Sequence, residues 1–163
     1  MAERNFPSNL VRDYMPDTEW KFEQPDARPI PGDLYILRSN YEYRWYDSDG
    51  ILNRLRIEKG FIFSASIPRV LWMFIRPGGL IIAGACCHDM VYRTPGVSLG
   101  CVHQIFIGGS WVTSGKIWTR EEADSLFTRI NRQAGMPEVK CEAAHCGVRA
   151  CGWYAWWQNG RVK

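Results

Sequence analysis

The sequence predicts a single α+β domain, a small antiparallel sheet in the N-terminal half followed by about three packed helices. Three observations lead there. Between Gly32 and Phe63, short aromatic and β-branched runs are separated by turns ending in Asp-Gly and Lys-Gly. From Leu80 onward, apolar residues recur at helical spacing. At 163 residues the chain has the length of one domain with a sizeable core.

Residues 1–31 carry Pro7, Pro16, Pro25, Pro29 and Pro31, a density that regular elements do not tolerate. They read as an irregular arm, with one short strand at Trp20–Glu23, that wraps the domain or reaches a neighbouring subunit. The domain itself spans 32–158. Leu34–Leu37 and the strongly alternating Tyr41–Tyr46 are strands. Asp47-Ser48-Asp49-Gly50 is a hairpin turn, because Gly50 accepts a positive φ, and Ile51–Ile57 pairs back. Glu58-Lys59-Gly60 turns the chain into a short strand at Phe61–Phe63.

Pro68 favours an extended Ile67 and starts a helix at Arg69 that runs through Phe74. Arg76-Pro77-Gly78-Gly79 breaks it. The central helix follows from Leu80 to Tyr92, and Thr94-Pro95-Gly96 stops it. Val102–Ile107 and Ser110–Thr113 flank Gly108-Gly109 as a hairpin inserted at 97–118, between two helices. Thr119 and Glu122 form a capping box that opens the next helix at Arg120. Ala123, Leu126, Phe127, Ile130 and Ala134 fall on one face of that helix, which Gly135 and Pro137 end. A last helix runs from Glu138 to Trp157, interrupted or bent near Gly147 and Gly152, before a polar tail at 159–163.

The formal charge is +3, and the basic residues are spread along the chain without a dense run, so charge does not indicate a nucleic-acid groove. No apolar run approaches the roughly 20 residues that span a bilayer, and Met1-Ala2-Glu3-Arg4-Asn5 leads into no export signal. The six cysteines, several inside apolar helical patterns, read as buried free thiols rather than three disulfides.

The chemistry concentrates at Gly84–Arg93. In a helix, His88 and Tyr92 share one face, and Asp89 and Arg93 share the next at ion-pair spacing. A histidine and a carboxylate on a buried helix are costly unless paired. Asp124, near the start of the next helix, is the expected partner of His88. A carboxylate on one ring nitrogen holds the tautomer a general base needs. Asp89 is then left for a divalent cation such as calcium or zinc, or for Arg93. Ser66 and Arg69, where the sheet ends, and Arg93 are expected to bind substrate at the rim. The competing reading makes the polar cluster a brace between two helices. Cys141, His145, Cys146 and Cys151 match no standard zinc spacing and read as helix thiols with a surface histidine. Trp153-Tyr154-Ala155-Trp156-Trp157 cannot all face inward on a helix, so part of it is expected to be exposed or to meet a partner.

Several motifs in order carry a family resemblance: Gly60-Phe61, Ala65-Ser66-Ile67-Pro68-Arg69, His88-Asp89-Met90-Val91-Tyr92, Ala123-Asp124-Ser125-Leu126-Phe127 and Gly147-Val148-Arg149-Ala150-Cys151-Gly152. Over about residues 33–157 the chain resembles the phage and prophage family catalogued as domain of unknown function 1353. The resemblance implies a bacteriophage origin, a place in the host cytoplasm or the virion, and no assigned activity. Family members carry a Thr-Asp pair before the Ala-Ser-Ile-Pro segment; Phe63-Ser64 stands there in this chain. The segment 94–118 is also expanded relative to the family.

Locally, Cys87-His88-Asp89-x-x-Tyr92 with a later Asp124 is similar to the active-site helices of secreted phospholipases A2. That similarity implies His88 as base, Asp89 as calcium ligand, and Asp124 with Tyr92 as the orienting pair. The glycine-rich calcium loop of those enzymes is not evident, unless Arg76-Pro77-Gly78-Gly79 supplies backbone carbonyls, and their flanking disulfide pattern is absent. Two functions are therefore expected. One is a hydrolase of an ester or amide bond built on His88 and Asp124. The other is a non-catalytic virion, tail or host-binding protein, which the missing acidic residue before Ala65 favours.

Overall fold

The computed structural model describes residues 21–65 and 79–161. The expected helix at Arg69–Phe74 lies outside the described residues, as do Trp20, Ser66 and Arg69 themselves. The elements are β1 (Ala27–Ile30), β2 (Leu34–Leu37), β3 (Tyr41–Tyr46), β4 (Leu52–Ile57), β5 (Ile62–Ser64), α1 (Ile82–Tyr92), β6 (His103–Ile107), β7 (Ser110–Thr113), α2 (Arg120–Gln133) and α3 (Glu138–Arg161). This is an α+β arrangement with the strands mainly in the N-terminal half and the helices after them.

The strands form two antiparallel sheets rather than one, ordered β1-β2-β5 and β3-β4-β6-β7. The hairpin β3–β4 turns at Asp47, whose Oδ1 accepts from the amides of Asp49 and Ile51 at 3.0 and 2.9 Å. After β4 the chain does not continue the meander. A turn at Gly60 (φ 90°) sends β5 back beside β2, with Tyr35 opposite Phe63, so that Leu37 and Phe63 are both buried. The place beside β4 goes to β6, with Leu55 opposite His103. The expected inserted hairpin is thus the outer half of the second sheet.

Within the expected irregular arm, Ala27–Ile30 forms a strand. Pro29 is tolerated there because β1 pairs on one side only, with β2. The expected strand at Trp20–Glu23 has no counterpart in Lys21–Glu23, which is irregular. This segment has another use: the Gln24 carboxamide accepts from Ala83 N at 3.2 Å and donates to Leu80 O at 3.3 Å. It thereby caps the N-terminus of α1, whose own N-cap residue, Ile81, makes no side-chain cap.

Helix α1 is enclosed, burying Ala83 through His88 together with Val91 and Tyr92, as expected of a helix that is apolar all round. It packs on α2, which starts at the Thr119–Glu122 capping box. Helix α3 runs without interruption through Gly147 and Gly152 to Arg161. Gly152 serves close packing instead of a bend: a Cβ there would lie 2.6 Å from the Tyr92 hydroxyl. The helix also continues into the expected tail, where Asn159 donates to Tyr92 O at 2.8 Å. Cys86, Cys87 and Cys141 are buried, whereas Cys101, Cys146 and Cys151 are exposed; all six are free thiols.

His103, for which the sequence offers no role, is a core residue of the second sheet. It is stacked on Trp45 and bonded through Nε2 to Asn53 Oδ1 at 2.9 Å. Burial, with a smaller contribution from Lys116, pushes its pKa down from 6.5 to about 4. Between these values the unfolded chain takes up a proton that the folded one refuses. Stability is therefore present above pH 6.5 and is lost as pH falls toward 4. The expected slope is about 1.4 kcal/mol per pH unit. In urea titrations between pH 7.5 and 4.5, His103→Phe should be less stable at neutral pH and should lack this component. Parallel pH profiles for the two proteins would refute the assignment.

Candidate active site

His88 and Tyr92, one turn apart on α1, both point at Asp124 on α2. His88 Nε2 lies 2.8 Å from Asp124 Oδ1, and the Tyr92 hydroxyl donates to the same oxygen at 2.5 Å. The carboxylate is fully buried. Its other oxygen faces two guanidinium groups, Arg149 of α3 at 3.2 Å and Arg120 at 3.8 Å. Burial alone would raise the Asp124 carboxyl. The donors from His88, Tyr92 and Arg149 outweigh it and hold the group below the ordinary value. Asp124 is thus a fixed anion tying α1, α2 and α3 together. With Asp124 ionised, Nε2 of neutral His88 carries the proton and donates it, leaving Nδ1 bare as the base requires.

His88 and Asp89 stand in the wall of a cavity of about 220 Å³. Ser64 and Ala65 close one side, Ala85 and Phe127 another, and Gly147, Val148 and Gly152 of α3 the third. Small residues on α3 keep this space open. A volume of this order holds a small group or part of a larger substrate.

Asp89 does not pair with the other two. Its Oδ2 accepts from Ser64 N at 2.8 Å, which anchors the end of β5 to α1. Burial raises its pKa, an effect only partly offset by the Ser64 amide, His88 and Arg93. The expected cation at Asp89 meets a poor ligand set: among the described residues, no three His, Cys, Asp or Glu side chains converge as metal ligands. The Cys141, His145, Cys146 and Cys151 segment likewise forms no such cluster. His145 Nδ1 instead lies 2.8 Å from the Thr128 hydroxyl, which donates to Asp124 O.

Arg93 turns away from the cavity lining, donating to Ile62 O and placing its guanidinium 4.6 Å from the Phe61 ring centre. Ser66 and Arg69 lie outside the described residues. Sequence reasoning missed Arg120 and Arg149. Arg120 stands four residues before Asp124, an ion-pair spacing that was readable. Arg149 reaches Asp124 across 25 positions, and only the packing of α3 brings it there.

A family model described as a protein of unknown function, DUF1353, matches residues 36–148. No curated protein and no solved structure matches the chain. No helix among the described residues is long and apolar enough to cross a membrane.

Proposed function

We propose, starting from the fact that this chain belongs to the DUF1353 family of proteins of unknown function, that it hydrolyses an ester or amide bond with His88 as general base. The observation that carries this reading is the 2.8 Å contact between His88 Nε2 and the buried Asp124, on a ring that lines a cavity. His88 Nδ1 takes a proton from water as the oxygen attacks the substrate carbonyl. The imidazolium formed is stabilised by Asp124, then returns the proton to the departing alkoxide or amine. The products are an acid and an alcohol or amine. Tyr92 and Arg149 orient the carboxylate. No step uses a cation, since Asp89 brings a single carboxylate already bonded to Ser64 N.

The test is turnover of a panel of p-nitrophenyl esters and anilides by the wild type and His88→Gln. The expected loss is about 10²- to 10⁴-fold in kcat with the melting temperature kept within a few degrees. Equal turnover by the two proteins refutes the reading.

A second reading has its own observation. Trp153, Tyr154 and Trp157 are 59, 51 and 45 % exposed on α3, a face suited to contact with a phage virion or host protein. In that case the Asp124 cluster is a brace. Thermal unfolding of His88→Ala, in EDTA, calcium and zinc in turn, separates the two. An unchanged or raised melting temperature supports a site kept at a cost to stability. A loss of several degrees, unaffected by metal and without any hydrolysis by the wild type, supports the brace.

A further inference from the structure

Three arginines of the β3–β4 hairpin, Arg44, Arg54 and Arg56, lie together on the outer face of the second sheet. The inner face of β3 and β4 buries Tyr43, Trp45 and Leu55, so the alternate positions face outward. Arg44 and Arg54 stand opposite each other there, and Glu42 is opposite Arg56. Glu42 is the shared carboxylate of all three arginines, at 2.5 Å from Arg44, 3.4 Å from Arg54 and 3.9 Å from Arg56. One carboxylate among three guanidinium groups leaves this patch with a charge of +2.

Glu42 with Arg56 and Arg44 with Arg54 make two neighbouring rows, and a third runs beside the Arg44–Arg54 row. Tyr46 pairs with Leu52, and Phe106 pairs with Trp111. Asn53 opposite Ile105 sets Leu52 level with Phe106, so the row crosses all four strands. Neighbouring rows on one face of a sheet are about 6.8 Å apart, twice the rise per residue. Trp111 joins the rows: the Arg54 guanidinium lies 4.0 Å from its ring centre and that of Arg44 5.6 Å. Tyr46 is 47 % exposed, and the Arg56 side chain 56 %.

We propose that this face binds single-stranded nucleic acid, phosphates on the arginines and bases on the aromatic rings of the adjoining row. The pairing of features selects the partner. An excess of guanidinium groups calls for an anion, and an adjoining aromatic row is suited to flat faces, which bases have and acidic peptides lack. With no dense basic run and few base-edge readers, the binding is tolerant of sequence. The site lies on the sheet, apart from the cavity at His88, and does not depend on any hydrolytic activity.

The test is fluorescence anisotropy of a labelled 15-nucleotide oligodeoxythymidine with the full chain at about 50 mM salt, beside a labelled polyglutamate of equal length. The oligonucleotide should bind and polyglutamate should not. The affinity should fall with salt, and Arg56→Gln should reduce that logarithmic slope by about 0.7. Tyr46→Ala, at an exposed position, should weaken binding by at least about 5-fold without moving the melting temperature by more than a degree or two. Absence of binding, equal binding of polyglutamate, or wild-type affinity in both variants would overturn the proposal.

Discussion

Asp124→Asn is expected to cost about 3 kcal/mol of stability, the scale of breaking a buried hydrogen-bonded charge network. The folded protein that remains should lose activity about as far as His88→Gln. The carboxylate is completely enclosed and accepts from His88, Tyr92 and Arg149, with Arg120 alongside. Asparagine has the same shape but one acceptor oxygen. Its amide nitrogen must face either Arg149, where it meets a donor, or His88 and Tyr92, where Nε2 must become the acceptor and the ring proton moves to Nδ1, the position the base needs bare. The pH dependence has a definite sign. A carboxyl held below its ordinary value stabilises the fold above that value, and the contribution is lost as pH falls through the folded pKa. The gap between wild type and Asp124→Asn should accordingly be full at pH 7 and close in strong acid. Urea unfolding at pH 7 and pH 3 measures it. A change of less than about 1 kcal/mol at pH 7 would put the network in the class of solvated surface pairs.

The parts of this molecule that were readable in the sequence are those set by short-range rules. The 88/92 spacing put two polar groups on one face of α1, and the Thr119–Glu122 box fixed the start of α2, so the direction of Asp124 toward His88 followed from two local patterns. Long-range pairings were not readable. Nothing local states that β5 leaves β4 for β2, or that β6 takes the vacated edge, because strand partners are chosen by burial of Leu37, Phe63 and His103 across distant segments. Prolines suppressed β1 in the reading, although an edge strand tolerates them. Gln24 caps a helix 59 positions away, and Arg149 reaches the site only through the docking of α3. Glycines inside α3 suggest an interruption or bend because glycine weakens an isolated helix; at Gly152 the Tyr92 hydroxyl occupies the space a side chain would take.

Gly84→Ala carries the same logic to the contact between α1 and α2 and is expected to destabilise the protein by about 2 kcal/mol. On an isolated helix this change would stabilise by up to about 1 kcal/mol. In the folded protein, a Cβ at position 84 would lie 2.3 Å from Asn131 Oδ1, 3.0 Å from its Cγ and 3.1 Å from Phe127 Cδ2. Asn131 is fully buried, and Phe127 packs beside the His88 ring with centres 5.3 Å apart. The closest clash is with the enclosed Asn131 amide, which has no exposed side to move toward, so the helices shift apart at the cost typical of overpacking a core. Asn131 also supplies the control. Both polar atoms of its side chain are buried without a hydrogen-bond partner, so Asn131→Ala removes an uncompensated amide, which offsets much of the packing it loses. The double variant should then recover most of what Gly84→Ala alone loses. A coupling of about 2 kcal/mol between the two positions, read from urea midpoints of the four proteins, would confirm that the approach of α1 to α2 depends on the missing side chain at 84. Strict additivity would show that the helices adjust to the added methyl group. The distance between His88 and Asp124 would then be set elsewhere than by the contact at Gly84.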